Sequence, residues 1–293
     1  MAPVSGRPAG RLPCSRRPRR RPPPAPRDRV SLLDLGASVL LVHAHPDDET
    51  ISTGALIAEM IERGIRVSLL TASRGERGEV VPGPLSGLEG TAALTTAREE
   101  ELQRAAAALG VSERFWLGEP PARAAGLAPR RYRDSGMTWI RPGLAGPADD
   151  VDDDALAIAP LHEVVADVAA LILALRPALV ISYDSGGGYG HPDHVRTHVA
   201  ALAACGIVGT PLAEILHDRA DDGEWFALDR HLATVTAALR CHASQLTVDG
   251  SDIVHSGGQR EPITTSIGLR VLRVQNGCPP RRAVQAKGGL IEE

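Results

Sequence analysis

The segment Val39-Leu-Leu-Val-His-Ala-His-Pro-Asp-Asp-Glu49 constrains the fold most, because an apolar strand runs directly into two imidazoles and three carboxylates. After the strand at residues 38–42, Leu56, Ile57, Met60 and Ile61 form an apolar face at helical spacing within residues 52–63. A second apolar strand spans residues 66–72. Gly64 falls where a helix end wants a residue tolerant of the left-handed conformation. Strand, helix and strand in such close succession form a right-handed crossover, which makes the two strands parallel neighbours. The polar cluster then sits at the turn from strand to helix, where burying it is costly unless a metal or a reaction needs it.

The alternation continues. The pattern predicts a helix over residues 96–109 stopped by Gly110, a short strand at 114–117, a helix at 162–175 and a buried strand at 178–183. A further helix starts near Pro192, a residue suited to a first turn, and runs to 204; the last clear helix spans 228–245. Residues 118–154 hold many Pro, Gly and Asp and are expected as long surface loops, and order weakens beyond 256. This reads as one α/β domain, Rossmann-like, with a mostly parallel sheet flanked by helices. At 293 residues and 43% hydrophobic content the chain can bury one large core. The expected boundaries are a disordered Pro/Arg-rich arm at 1–30, the catalytic domain at 38–267 and a divergent, poorly ordered tail at 268–293.

Composition removes several function classes. The arm carries Arg16-Arg-Pro-Arg-Arg-Arg-Pro-Pro-Pro24, but the chain as a whole has a formal charge of −4, so nucleic-acid binding is not expected. No apolar run reaches the ~18 residues of a membrane helix. Cys14, Cys205, Cys241 and Cys278 are scattered, without a metal or disulfide spacing, and read as reduced thiols of a cytoplasmic protein.

A second cluster, Tyr183-Asp-Ser-Gly-Gly-Gly-Tyr-Gly-His-Pro-Asp-His194, repeats the order apolar strand, loop, His-Pro-Asp. In open parallel sheets ligands bind beyond the carboxyl ends of strands, and both clusters lie at that edge. His45, Asp48 and His194 can form a two-His, one-carboxylate site with open positions, suited to Zn²⁺ and compatible with Fe²⁺. Asp47, pointing away from its neighbour, is the natural base for a metal-activated water. His191 is read as a protonated partner for an oxyanion or leaving amine, and Asp193 as the carboxylate fixing an imidazole tautomer. His43, still within the strand, is read as structural, and His198 as either packing or orienting a ligand. His162, His217, His231, His242 and His255 show no acidic partner pattern and receive no role. Gly186-Gly-Gly188 lacks the Lys and Ser/Thr of a phosphate loop and is taken as flexible backbone beside the metal.

Over residues 38–245 the chain resembles the LmbE-like or PIG-L-type zinc N-deacetylases, through His45-Pro-Asp-Asp-Glu49 and the later His191-Pro-Asp-His194. Within that family Ser73-Arg-Gly-Glu-Arg-Gly-Glu-Val80, Arg131-Tyr-Arg-Asp-Ser-Gly-Met137 and the second cluster are similar to enzymes of mycothiol metabolism that act on N-acetylglucosaminyl-inositol. The resemblance implies His45, Asp48 and His194 as zinc ligands, Asp47 as general base and His191 as the residue stabilising the tetrahedral intermediate. It also implies Tyr189 as a mobile tyrosine at the oxyanion, and Arg98, Asp134 and Glu79 as contacts to substrate hydroxyls. The implied reaction is hydrolysis of the acetamide of this small aminosugar-inositol. The alternatives are a mycothiol S-conjugate amidase and a metal- or carbohydrate-binding protein without catalysis. The sequence after Ile267 does not resemble the family's closing strand, so a missing final strand is expected.

Overall fold

The computed structural model describes residues 31–34 and 37–272. The arm at 1–30 and residues 273–293 of the expected tail lie outside the described residues.

Strand β1 (Ser38–His43) leads into helix α1 (Asp48–Glu62), strand β2 (Arg66–Thr71), helix α2 (Ala92–Leu109) and strand β3 (Glu113–Trp116). A hairpin, β4 (Met137–Arg141) and β5 (Leu144–Pro147), precedes helix α3 (Leu161–Leu175) and strand β6 (Leu179–Ser182). The single turn α4 (Gly187–Gly190), helix α5 (Pro192–Val208), strand β7 (Leu212–Leu216), strand β8 (Glu224–Ala227) and helix α6 (Leu232–Leu239) follow. The described chain ends in β9 (Leu246–Asp249), β10 (Asp252–His255), β11 (Arg260–Pro262) and β12 (Ser266–Leu272).

Seven strands form one sheet in the order β3-β2-β1-β6-β7-β12-β8, with β3, β2, β1, β6 and β7 mutually parallel and β12 antiparallel to both its neighbours. Successive residues of β1 serve opposite faces. Val39 and Leu41 pack with Leu56, Ile57 and Met60 of α1 and with α2 and α6, whereas Leu40 and Val42 pack with α3 and α5. Burial on both faces explains why the parallel strands read as continuous apolar runs rather than alternating ones. Strand order reverses between β1 and β6, and the crevice at their carboxyl ends is the expected ligand site of an open α/β sheet.

The fold class stands as expected, but several boundaries move. Helix α1 begins four residues earlier than its apolar pattern, because Asp47 occupies the cap position and the acidic Asp48 and Glu49 suit the first turn. Gly64 does take a left-handed conformation, φ 75°. The segment 118–154 contains the β4–β5 hairpin rather than loops alone. The last helix stops at Leu239 rather than 245, and residues 246–262 form a separate three-stranded antiparallel sheet. Strand β12 runs through the boundary expected at 267/268 and pairs with β7 and β8, so the sheet does have a strand there, supplied by residues 266–272. Among the described residues no helix is long and apolar enough to cross a membrane, and Cys205 and Cys241 are unpaired.

Candidate active site

The turn after β1 and the cap of α5 face one another across the switch point. From the first comes His45, whose Nε2 lies 3.1 Å from Asp193 Oδ2 while its Nδ1 lies 3.4 Å from Asp48 Oδ2. His45 thus sets one ring nitrogen on each of two carboxylates, Nε2 on Asp193 and Nδ1 on Asp48. From the second comes His194, which donates from Nδ1 to the Gly187 carbonyl at 3.2 Å. Its Nε2 is buried without a hydrogen-bond partner, yet lies 3.2 Å from Asp48 Oδ1. A buried imidazole lone pair aimed at a carboxylate is costly in a dry interior, and a cation between them would resolve it.

Gly187 is needed for this contact: at φ 62°, a Cβ there would come within 2.8 Å of both His194 Cβ and the Val195 nitrogen. The glycine run is thus close-approach backbone beside the site.

Asp48 accepts the His45 backbone N–H at 2.9 Å and the Tyr183 hydroxyl at 2.7 Å. Burial opposes its charge, but His194 and His45 outweigh burial and hold its carboxyl well below the ordinary range. For His45 burial likewise disfavours the charged form, and Asp134, Asp193 and Asp48 together keep it well above the usual imidazole range. Once a divalent metal displaces the proton that these carboxylates keep on His45, two imidazole nitrogens around an ionised carboxylate form a donor set that fits it. Two groups at this site have ligand atoms within 4.8 Å of one another, His45–His191–His194 and His45–Asp134–Asp193, and Asp48 joins the first through its contacts to His45 and His194; a third such group, Glu59–Glu62–His231, lies away from it.

Asp47 caps α1 at φ 120°, and Arg98 donates to its Oδ2 at 3.0 Å. Burial is the main reason its carboxyl is pushed up to about 6, with Arg98 pulling the other way. Arg98 is buried and also holds the Gly75 and Pro46 carbonyls, at 2.8 and 2.5 Å, so its guanidinium positions Asp47 in this structure.

His191 departs from the expectation of a protonated partner. Burial, and then the neighbouring His45 and His194, push it down to about 2, and its Nδ1 accepts the Asp193 backbone N–H at 3.1 Å. It is a neutral imidazole whose Nε2 carries the proton. Tyr189 is half-exposed at the rim, its ring 5.2 Å from that of His194 and 5.8 Å from that of Trp139.

Asp193 accepts from the Ser135 backbone N–H at 2.9 Å and hydroxyl at 2.5 Å, as well as facing His45. Asp134 is buried with Oδ1 3.6 Å from His45 Nε2, and it accepts from the Gly136 backbone N–H. Glu79 is exposed, and its carboxylate accepts the Ser256 hydroxyl rather than meeting the cluster.

Several residues join the site that sequence reading passed over. Tyr183 accepts the Ala44 backbone N–H at 2.8 Å and stacks on His194 with ring centroids 4.1 Å apart. Glu76 accepts the Asp134 backbone N–H, and its second carboxylate oxygen is buried and unpartnered. Glu49 and His242 form a buried pair 3.0 Å apart. The histidines left without acidic partners thus include three that have them: His242 with Glu49, His231 with Glu59 and His255 with Glu261. His43 bonds Thr53 at 3.1 Å as a strand residue, and His198 reaches the Tyr183 carbonyl at 2.8 Å.

Fold and site together define an open α/β protein with a buried candidate metal-binding group at its switch point. Residues 40–205 match the family described as PIG-L, GlcNAc-PI de-N-acetylase, and the chain belongs to that family. A relative named 1D-myo-inositol 2-acetamido-2-deoxy-alpha-D-glucopyranoside deacetylase, from Kineococcus radiotolerans, is 48% identical over 181 residues, covering 62% of this chain and 48% of that one. A protein of the same name from Geodermatophilus obscurus is 32% identical over 289 residues, covering 82% of this chain and 93% of its own. In the matches of highest identity the chain spans about half the length of its relatives. Among solved structures, a deacetylase–teicoplanin complex aligns over 80% of this chain and 99% of its own at 17% identity and a TM-score of 0.54. That likeness supports the sheet order and helix placement.

Proposed function

We propose that this protein hydrolyses the acetamide of N-acetylglucosaminyl-inositol, releasing acetate and the free amine, with Zn²⁺ held by His45, Asp48 and His194. The observation that carries the reading is the pair of imidazole nitrogens, His45 Nδ1 and His194 Nε2, set on the two oxygens of Asp48. Family membership and the names of the relatives supply the reaction and substrate class. The nitrogen and oxygen donors suit Zn²⁺, and Fe²⁺ fits the same set. When bound, the ion polarises the amide carbonyl and acidifies a water.

The chain's own groups do the rest. Asp47 takes the proton from the attacking water; a carboxyl pushed up to about 6 is well matched to that task near neutrality. Arg98 fixes the orientation of Asp47. His191, neutral, offers its Nε2 proton as a hydrogen bond to the oxyanion that develops on the former carbonyl. As the carbon–nitrogen bond breaks, Asp47 returns its proton to the departing amine. Asp193 holds the His45 tautomer, and Tyr189 at the rim closes over the oxyanion side. Asp134 meets sugar or inositol hydroxyls, where an unmatched polar group discriminates strongly against the wrong ligand; Arg98 contributes through its grip on the loop at Gly75.

Acetate and free-amine release from N-acetylglucosaminyl-inositol by the purified, zinc-loaded protein tests the proposal. Acetate in step with amine supports it. Preference for a bimane conjugate of mycothiol reverses the substrate assignment, and zinc binding with no turnover of either compound identifies a binding protein.

A further inference from the structure

Asp47 sits at φ 120° and ψ −34°, a conformation that a non-glycine residue holds only when its surroundings over-determine it. Its carboxylate is gripped by Arg98. Its backbone N–H is held separately, by Glu49 Oε2 at 3.0 Å. The other oxygen of the same carboxylate, Glu49 Oε1, lies 3.0 Å from His242 Nε2 and also accepts the Thr50 hydroxyl. Both Glu49 and His242 are 0% exposed.

His242 arrives from 193 residues away, on the turn after α6. That turn is anchored in its own right: the Ser244 backbone N–H and hydroxyl donate to Glu101 of α2 at 2.8 and 2.7 Å. Ion pairs this deep are rarely worth their desolvation for stability alone, since apolar replacements of similar volume are often neutral or stabilising. Here the pair ends on the one strained backbone unit of the site.

We propose that Glu49 and His242 are a positioning pair that fixes the backbone of Asp47 and so aims its carboxylate at the water. His242 orients Glu49 and Glu49 holds the Asp47 N–H; neither touches substrate. The inference rests on the reading of Asp47 as the base.

The test is a double-mutant cycle on turnover of N-acetylglucosaminyl-inositol by the zinc-loaded protein. His242→Leu is expected to lower kcat about 10- to 100-fold, the scale of a small misplacement of a catalytic group. KM and zinc content stay within about twofold, because substrate binding and the metal ligands are untouched. His242→Gln, which keeps a donor near the position of Nε2, restores most of the loss. In an Asp47→Asn background His242→Leu causes no further fall in kcat, as expected when two groups act as one unit.

Equal losses in both backgrounds, or a loss of zinc that tracks kcat, overturn the proposal. Should His242→Leu leave Glu49 charged and the fold unstable, the double variant Glu49→Gln/His242→Leu removes that charge and is read in the same cycle. Asp47→Asn at wild-type turnover defeats the base assignment itself. An inactive Asp47→Asn beside an unaffected His242→Leu defeats only the positioning role.

Discussion

Tyr183→Phe isolates one hydroxyl at the candidate metal-binding group. The hydroxyl accepts the Ala44 backbone N–H at 2.8 Å and donates to Asp48 at 2.7 Å, and both Ala44 and Tyr183 are buried. The ring itself stacks on His194 with an interplanar angle of 8°, and Phe retains that packing. Stranding the amide costs about 1–3 kcal/mol, and losing a hydrogen bond to a charged acceptor about 1.5–3 kcal/mol. Together they predict a loss of about 2.5–6 kcal/mol in the metal-free protein, measured by urea denaturation at constant slope. Asp48 keeps the His45 N–H, so the carboxylate stays in place but is held less firmly. Zinc affinity should therefore fall by about 10- to 100-fold, as for other groups that orient a metal ligand. Competition with a chromophoric chelator measures it. A stability change below about 1 kcal/mol, with unaltered zinc affinity, refutes the view that this phenol organises the site.

Asp47→Ala should retain zinc while lowering kcat by about 10²- to 10⁴-fold, the contribution typical of general acid–base catalysis; metal analysis beside acetate release checks both halves. Stripping the protein with dipicolinate should abolish turnover, and stoichiometric Zn²⁺ should restore it. A Cβ at Gly75, where φ is 67°, would lie 2.1 Å from an Arg98 nitrogen, so Gly75→Ala should displace the guanidinium from Asp47 and depress kcat more than stability; kinetics and thermal melts compare the two. Burial opposes the charge on Glu59, but His231, Arg63 and Arg230 hold its carboxyl below the ordinary range. A depressed carboxylate stabilises the fold above its unfolded pKa of about 4.3 and loses that contribution as pH falls through the native value. Glu59→Gln should accordingly flatten the acid limb of a stability profile measured between pH 3 and 6.

The parts of the fold legible in the sequence were those with a local period. Residues 38–72 declared strand, helix and strand because apolar spacing switched from continuous to helical and back, and the sheet pairs β1 with β2 in parallel as that unit requires. The short strands gave no such signal. Every residue of β11, Arg260–Pro262, is exposed, and β12 interrupts its apolar run with Gly268 while taking both partners from earlier in the chain. The helix expected to reach 245 shows why periodicity misleads at a functional boundary. Leu239 and Leu246 both enter the core, but the chain between them turns, with the backbone N–H groups of His242 and Gln245 bonded to Leu239 and His242 in succession.

The site divides along the same line. Its candidate ligands and base lie within two tight motifs, so residue types at short spacing were enough to name His45, Asp47, Asp48, His191, Asp193 and His194. The groups that orient them arrive from elsewhere in the fold. Arg98 comes from α2 to grip Asp47, Ser135 from the segment before the hairpin to hold Asp193, and His242 from beyond α6 to hold Glu49. A histidine reads as solitary when its carboxylate is distant in sequence, and the fold then decides its partner: the 0% exposed His242 finds Glu49 on α1. Reactive groups can be crowded into a few consecutive residues, whereas restraining one of them against backbone strain takes forces from several directions. That restraint has to be assembled from distant chain, which is why it surfaces only in three dimensions.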